Sequence, residues 1–412
     1  MSSTHRAVLA RALVFATPLA IPLLAGLAGA FGGCSNLIDD LPSDSGIAPG
    51  TDGGPNSTTD APTIILDLDG ALSPDGTLDG AAGPNCAAED ASFAAPNDLA
   101  CTGLYSNFAK KTLATNVQAF DPGLHLWSDG ASVTRFLSLP AGAKIDTADM
   151  NEWLFPVGTK AWQEFQISGH AVETRFYWKR GDDDWVRGAY AWGDDGSAVY
   201  TPTGATNVGG SSYSIPPIGD CDTCHSGRID RLLGVEAVSL GQPSASGVTL
   251  ATLVSSGLLT QPPVGSITMP DDGTGLAAPA LGWLHANCGT SCHSASPGAT
   301  AASTGLLLRL EIATSDAGAS LGDVAHTNTY LTAVNITPQL SPYAGEGWHR
   351  ITPNDGFDGG IGTSLLPFMA ASRNVPNLQM PPIDTSTPDI ADVTALKKWI
   401  TNGTFPPGSY PP

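Results

Sequence analysis

Two short stretches of the chain carry residue types that can hold a redox group. In "DCDTCHSGR", residues 220 to 228, Cys221, Cys224 and His225 stand as C-x-x-C-H, and in "HANCGTSCHS", residues 285 to 294, Cys288, Cys292 and His293 stand as C-x-x-x-C-H. The first spacing is that of covalent haem attachment, in which two thiols add to the porphyrin vinyl groups and the adjacent His ligates the iron. The second holds one more residue between its cysteines and departs from that string. A His directly after the second Cys nonetheless recurs in both. With 8 His in 412 residues, each coincidence has a chance of about 2%, and both together come to roughly one in a few thousand. Haem attachment explains that repetition, whereas a C-x-x-C…C-x-x-x-C zinc site does not require it.

A haem iron held by His on one side takes a second nitrogen or a soft thioether on the other. For the first motif the nearest candidates are Met269 in "ITMPDD" and His285 in "WLHANC", with Tyr213 or an open position as alternatives. No paired carboxylates or Ser-His arrangement suggests hydrolytic chemistry, and Asp182, Asp183 and Asp184 read as a turn.

The remaining cysteines follow from export. His5, Arg6 and Arg11 precede a long apolar stretch, "ALVFATPLAIPLLAGLAGAF", residues 12 to 31, which reads as a signal peptide over 1–33. Gly32 and Gly33 before Cys34 are similar to the lipobox of bacterial lipoproteins, which implies cleavage before Cys34 and a lipid on its sulfur; the alternatives are a plain signal or an uncleaved anchor. An oxidising compartment permits disulfides and covalent haem. Of seven cysteines, Cys34 then goes to lipid, Cys86 and Cys101 pair as a disulfide, and the two motifs take the other four.

Residues 34–85 are rich in Asp, Gly, Pro, Ser and Thr and read as a disordered tether; "DLDGALSPDGTLDG" has Asp67 and Asp69 but Ala71 where a calcium loop needs an oxygen. From 86 to 217 the chain is rich in Trp and alternates in strand fashion. "VETRFYWKR", residues 172 to 180, puts Val172, Thr174, Phe176 and Trp178 on one face and Glu173, Arg175 and Lys179 on the other. That predicts a β-sandwich-like domain. Residues 218–280 form the first attachment segment, and 281–408 turn mainly helical. "PDIADVTALKKWITNG", residues 388 to 403, follows Thr387, which can cap it, and has acids in its first turn, Lys397 and Lys398 toward its end, and an apolar stripe of Val393, Leu396, Trp399 and Ile400. The fold class expected is therefore α+β and multidomain.

The residues around the second motif carry a further resemblance. "LGWLHANCGTSCH", residues 281 to 293, resembles the first helix of a small cytochrome c running into its attachment site, and "NLQMPPIDTSTPDIADVTALKKWI", residues 377 to 400, resembles the Met-Pro loop and terminal helix that complete such a domain. That resemblance implies His293 as the proximal and Met380 as the distal iron ligand, with Met369 as the fallback. The larger pattern, "LHLWSDGASVTRFLSLPAGAKI…WLFPVGT…ETRFYWKR…RGAYAW" followed by two haem strings, resembles a sparsely characterised family of bacterial di-haem c-type cytochrome envelope proteins over most of residues 100 to 408. It implies two haem c groups and electron transfer, and names no substrate.

The formal charge of −21 argues against nucleic acid and anionic membrane as partners, since both need a basic stripe. The expectation is an exported di-haem cytochrome, periplasmic or lipid-anchored to the outer membrane, exchanging electrons with redox protein partners and touching membrane only through its lipid. The competing readings are a di-haem oxidoreductase or peroxidase with an open haem site, and a haem-free surface binding lipoprotein whose Trp-rich β domain docks a polymer or protein.

Overall fold

Alternating, β-branched and aromatic segments between residues 118 and 200 pair into the largest element of the protein. In the computed structural model, which describes residues 86, 94–313, 318–345, 347–357, 362–373, 375 and 378–406, six of these strands form an antiparallel meander. They are β1 (Gln118–Asp121), β2 (Ser132–Ser138), β3 (Lys160–Ile167), β4 (His170–Lys179), β5 (Trp185–Trp192) and β6 (Ala198–Tyr200). A two-residue strand, β7 (Ser246–Gly247), adds to β1, giving the order β6-β5-β4-β3-β2-β1-β7. The tight connections, such as Ser168–Gly169 between β3 and β4 with both residues at positive φ, suit antiparallel neighbours. The signal, Cys34 and the tether with Asp67 and Asp69 lie outside the described residues, which all belong to one compact unit, Leu78–Pro412.

The α+β class is observed, with one seven-stranded sheet and several helices. A second sheet of comparable size, as a sandwich requires, is not present among the described residues. One face of the sheet, carrying Phe136, Trp162, Phe176 and Tyr190, is covered by the segment with Leu99, Leu104, Tyr105 and Val117, where Cys101 is joined to Cys86. On the other face Leu137, Ala161, Tyr177 and Trp185 join a core that continues through the helical half to Trp399 and Ile400. The stripe expected in β4 is broken at Val172. A β-bulge falls where Phe165 pairs with Glu173 and Gln166 pairs with Ala171, so Val172 packs with Phe165, Ala189, Tyr213 and Ile215 instead of with Phe176.

Seven helices complete the described fold: α1 (Cys221–His225), α2 (Ala237–Leu240), α3 (Leu250–Ser255), α4 (Ala277–Leu284), α5 (Asn328–Ala333), α6 (Leu365–Ala371) and α7 (Ile390–Asn402). Helix α7 begins where Asp389 accepts a bond from the Asp392 amide, and it buries the predicted stripe of Val393, Leu396, Trp399 and Ile400. That stripe lies in the same core as Leu281, Trp283 and Leu284 of α4, and the Trp283 indole donates to Asp389. No helix among the described residues is long and apolar enough to cross a membrane.

Candidate functional site

The sheet face that carries Tyr177 also positions the first motif. Tyr177 and Lys179 point to one side of β4, and their register partners Arg187 and Trp185 stand beside them on β5. All four side chains reach the stretch that holds α1. Arg187 pairs with Asp222 inside the helix, and the Tyr177 ring stacks on His225 with centroids 4.5 Å apart. The buried Tyr177 hydroxyl has no hydrogen-bond partner, and burial, then the neighbouring Cys221, holds its pKa well above the ordinary value. Lys179 and the Trp185 indole both hydrogen-bond Asp230 at 2.7 Å, and Asp230 also accepts from the Phe155 amide. This buried ion pair fixes the chain just after the motif, where the Arg231 carbonyl accepts from His225 Nδ1 at 2.5 Å.

That last bond decides what His225 can do. With Nδ1 donating to a carbonyl, the tautomer is set and Nε2 keeps its lone pair, the arrangement found behind metal-bound histidines. Desolvation holds the imidazole well below its ordinary value, at about 4, with the Arg231 carbonyl pulling the other way, so the neutral ligand form prevails. Cys221 and Cys224, three residues apart in a helix, share a face with one another.

The second motif is built differently. Helix α4 runs into a single π turn over His285–Gly289, where Thr290 N donates to His285 O at 2.9 Å and His293 N donates to Cys288 O at 2.8 Å. A turn closed from i to i+5 holds one residue more than an α turn. The second of these bonds spans the additional residue between Cys288 and Cys292. Gly289 is required at this point because a Cβ would lie 2.4 Å from the Arg309 amide nitrogen. His293 is 9% exposed, and its Nδ1 is buried without a hydrogen-bond partner. Burial lowers its pKa, opposed by the Leu306 carbonyl. Burial also pushes the Cys288 thiol up to about 12.

The sequence placed the two motifs 60-odd residues apart without indicating how they meet; in the structure they share a seam. Cys224 is the chief cause of a lowered Cys292 pKa, about 6, and Cys292 is the chief cause of a raised Cys224 pKa. Cys292 Sγ and Thr300 Oγ1 both approach the Thr223 carbonyl, at 3.6 and 3.2 Å. Two glycines allow the backbones this close: a Cβ on Gly227 would lie 1.8 Å from Ser291 O, and one on Gly298 would lie 2.2 Å from Ser226 O. Behind the seam, Glu152 binds both Arg228, which follows the first motif, and Arg309, which follows the second. These residues went unnoticed in the sequence, where the only available signal was a Gly three residues after Cys224 and a Gly six after Cys292.

The other candidate ligands sort by their partners. His285 is 1% exposed, its Nδ1 accepts from the Leu310 amide at 2.9 Å, and its Nε2 faces Glu236 Oε1 at 3.4 Å. Both ring nitrogens are engaged, so His285 offers no lone pair to a metal. The Tyr213 hydroxyl donates to Glu173 at 2.5 Å. Met269 packs with its methyl toward Gly282 of α4. Met380 is partly buried, its amide donates to the Met369 carbonyl at 3.1 Å, and its own carbonyl accepts from Arg373 at 3.2 Å. Asp384, four residues on, has its pKa raised to about 6 by burial and then by the neighbouring charge of Asp220, and it acts on Cys224 in turn. Assigning Met380 to the His293 iron rests on the resemblance alone.

The donor set fits haem c at the first motif: two thiols on one helical face and an imidazole with Nδ1 tied back. At the second motif the donors present are the two free thiols and the buried, unpartnered Nδ1 of His293. No family model matches the chain, and no curated protein or solved structure matches it either.

Proposed function

We propose that the chain is an exported di-haem c-type cytochrome that carries electrons between protein partners in the bacterial cell envelope, held to the membrane through a lipid on Cys34. The observation that carries this reading is the bond from His225 Nδ1 to the Arg231 carbonyl, made from a helical turn that also aligns Cys221 and Cys224. That fixed tautomer leaves Nε2 as an acceptor beside two free thiols, the arrangement found behind metal-bound histidines. Cys221, Cys224 and His225 would hold one haem; Cys288, Cys292 and His293 would hold the other, with Met380 as the further iron ligand. When bound, haem c supplies a one-electron iron couple whose potential follows its axial ligands and burial.

The chain's own residues set the surroundings. Asp230, locked by Lys179 and Trp185, keeps the Arg231 carbonyl on His225. The excess of acid over base, 39 Asp and Glu against 18 Lys and Arg, suits a basic redox partner and speeds its approach at low ionic strength. The test is covalent haem per chain, by intact mass and pyridine haemochrome spectrum, on protein exported in a host with cytochrome c maturation machinery. Two haems are expected. One haem, lost in Cys221→Ala and kept in Cys288→Ala, would leave the π turn without its role, and a colourless protein would refute the reading.

A further inference from the structure

We infer that the cleft between β1, β2 and the loop following β1 binds a small organic monocarboxylate, and that Arg135 holds its carboxyl group. The proposal is independent of the haem reading, because no residue of either cysteine motif is among the described residues that line the cleft.

Alternation along β2 sets Val133, Arg135 and Leu137 on one face, and Leu137 enters the main core. A charge in that row is out of place for packing alone. Arg135 is 8% exposed, stands in register between Phe120 of β1 and Gln163 of β3, and has its Nε buried without a hydrogen-bond partner. Arg228 and Arg309, buried to a similar degree, share Glu152, whereas no ion pair reaches Arg135 among the described residues. Burial lowers its pKa, opposed by the charge of Asp121, yet Asp121 turns its Oδ1 to the Gly123 amide at 3.2 Å. An unpaired guanidinium in such a place is costly, and a ligand carboxylate accepting its forked N–H groups would relieve that cost.

The cleft measures about 360 Å³, within the range of small-molecule sites. Its loop wall is fixed from two sides. Ser244 Oγ donates to the Gly123 carbonyl at 2.7 Å, and Asn287 accepts from the Trp127 amide and donates to the His125 carbonyl, each at 2.7 Å. The walls therefore stand in place before a ligand arrives.

Charge and lining select the ligand. His125 also lines the cleft, but its Nδ1 is engaged by Asp392 at 2.7 Å, so Arg135 supplies the positive charge. With Asp121 nearby, one guanidinium balances one negative charge, and a phosphate dianion would leave an excess. Leu124, Leu126 and Val133 offer apolar wall to a short hydrocarbon body.

The test is isothermal titration of the full exported chain with butyrate, hexanoate and benzoate, with their amides, and with inorganic phosphate. At least one carboxylate should bind saturably and about tenfold more tightly than its amide, because a hydrogen bond between charged groups is the stronger. Arg135→Gln should weaken that binding by about ten- to a hundredfold. Its urea midpoint should equal or exceed the parent's, since an unpaired buried charge has been removed. Ser132→Asp, at an exposed position on the cleft, keeps Arg135 and should weaken binding severalfold by repulsion, which serves if Arg135→Gln does not fold. No saturable binding of any carboxylate up to about 10 mM would overturn the proposal. So would amides bound as tightly as acids, phosphate bound more tightly than any carboxylate, or an affinity unchanged in Ser132→Asp. A lower midpoint in Arg135→Gln with carboxylate binding retained would make Arg135 a structural residue and overturn it equally.

Discussion

Replacing Gly227 with Ala tests the seam most directly. The added carbon would stand 1.8 Å from Ser291 O, 2.5 Å from Ser291 C and 2.9 Å from Thr290 O, all of them backbone atoms with no rotamer to escape into. Relieving that overlap means moving one segment from the other by more than about 1 Å, since carbon contacts settle near 3.5 Å or beyond. Overpacking of this kind costs roughly 1–3 kcal/mol, and backbone obstruction puts Gly227→Ala at the upper end. Gly298→Ala wedges the same seam from the other side, 2.2 Å from Ser226 O. Once the first substitution has opened the gap, the second meets less resistance, so the double variant should fall short of the sum by about 1 kcal/mol. Gly219→Ala is the control: no atom lies within 4 Å of its added carbon, and its cost should stay within about 0.5 kcal/mol. Urea unfolding followed by Trp fluorescence reads all four, through midpoints at a common slope. A Gly227→Ala midpoint equal to the parent's, or strict additivity with Gly298→Ala, would refute the contact between the motifs.

Three further outcomes follow from neighbouring residues. Glu152→Ala leaves Arg228 and Arg309, 3% and 4% exposed, without their shared carboxylate, and should cost about 3–5 kcal/mol in the same unfolding assay. Glu236 is buried, which by itself raises its pKa, yet hydrogen bonds from His285 and from the Val238 and Ser239 amides, with the Arg228 charge, hold it at about 2 against an ordinary 4.5. Its folded value is depressed, so its stabilisation of about 3 kcal/mol is complete above pH 4.5 and is lost as pH falls toward 2; Glu236→Gln should flatten that acid limb of a stability–pH curve. Deleting Thr290 shortens the second motif to C-x-x-C-H, converts the π turn to an α turn, and should leave the haem count per chain unchanged, as read by intact mass; loss of one haem would mean that the turn does more than absorb a residue.

What was legible in the sequence had short-range causes. The strands from 160 to 192 announced themselves by alternation and α7 by its stripe, because period is a local property; its cap is Asp389, where the sequence offered Thr387 two positions earlier. The bulge at Val172 was invisible: alternation assigned it to the Phe176 face, and only pairing with β3 decides that an extra residue is absorbed there. The sandwich was a misreading of the same kind, since a half-buried strand does not say whether a sheet or a set of helices covers it. His285 looked available because its partners, the Leu310 amide and Glu236, lie 25 and 49 residues away in sequence.

The motifs themselves were readable, and their contact was not, which changes how the cysteines should be understood. Taken separately, each string reads as a self-contained site, and the longer second one departs from the attachment spacing. In the fold, the second lies at a π turn whose far side rests on Arg309, and Arg309 shares Glu152 with the residue three positions past His225. A disturbance at either motif is therefore transmitted by two routes, the backbone contact of Gly227 with Ser291 in front and the Arg228–Glu152–Arg309 cluster behind. Substitution at Cys221, which touches neither route, should leave the second motif's attachment intact, whereas substitution at Glu152 should lower attachment at both motifs together. Comparing haem stoichiometry in those two variants separates one shared site from two independent ones, and equal, single-site losses in both would favour independence.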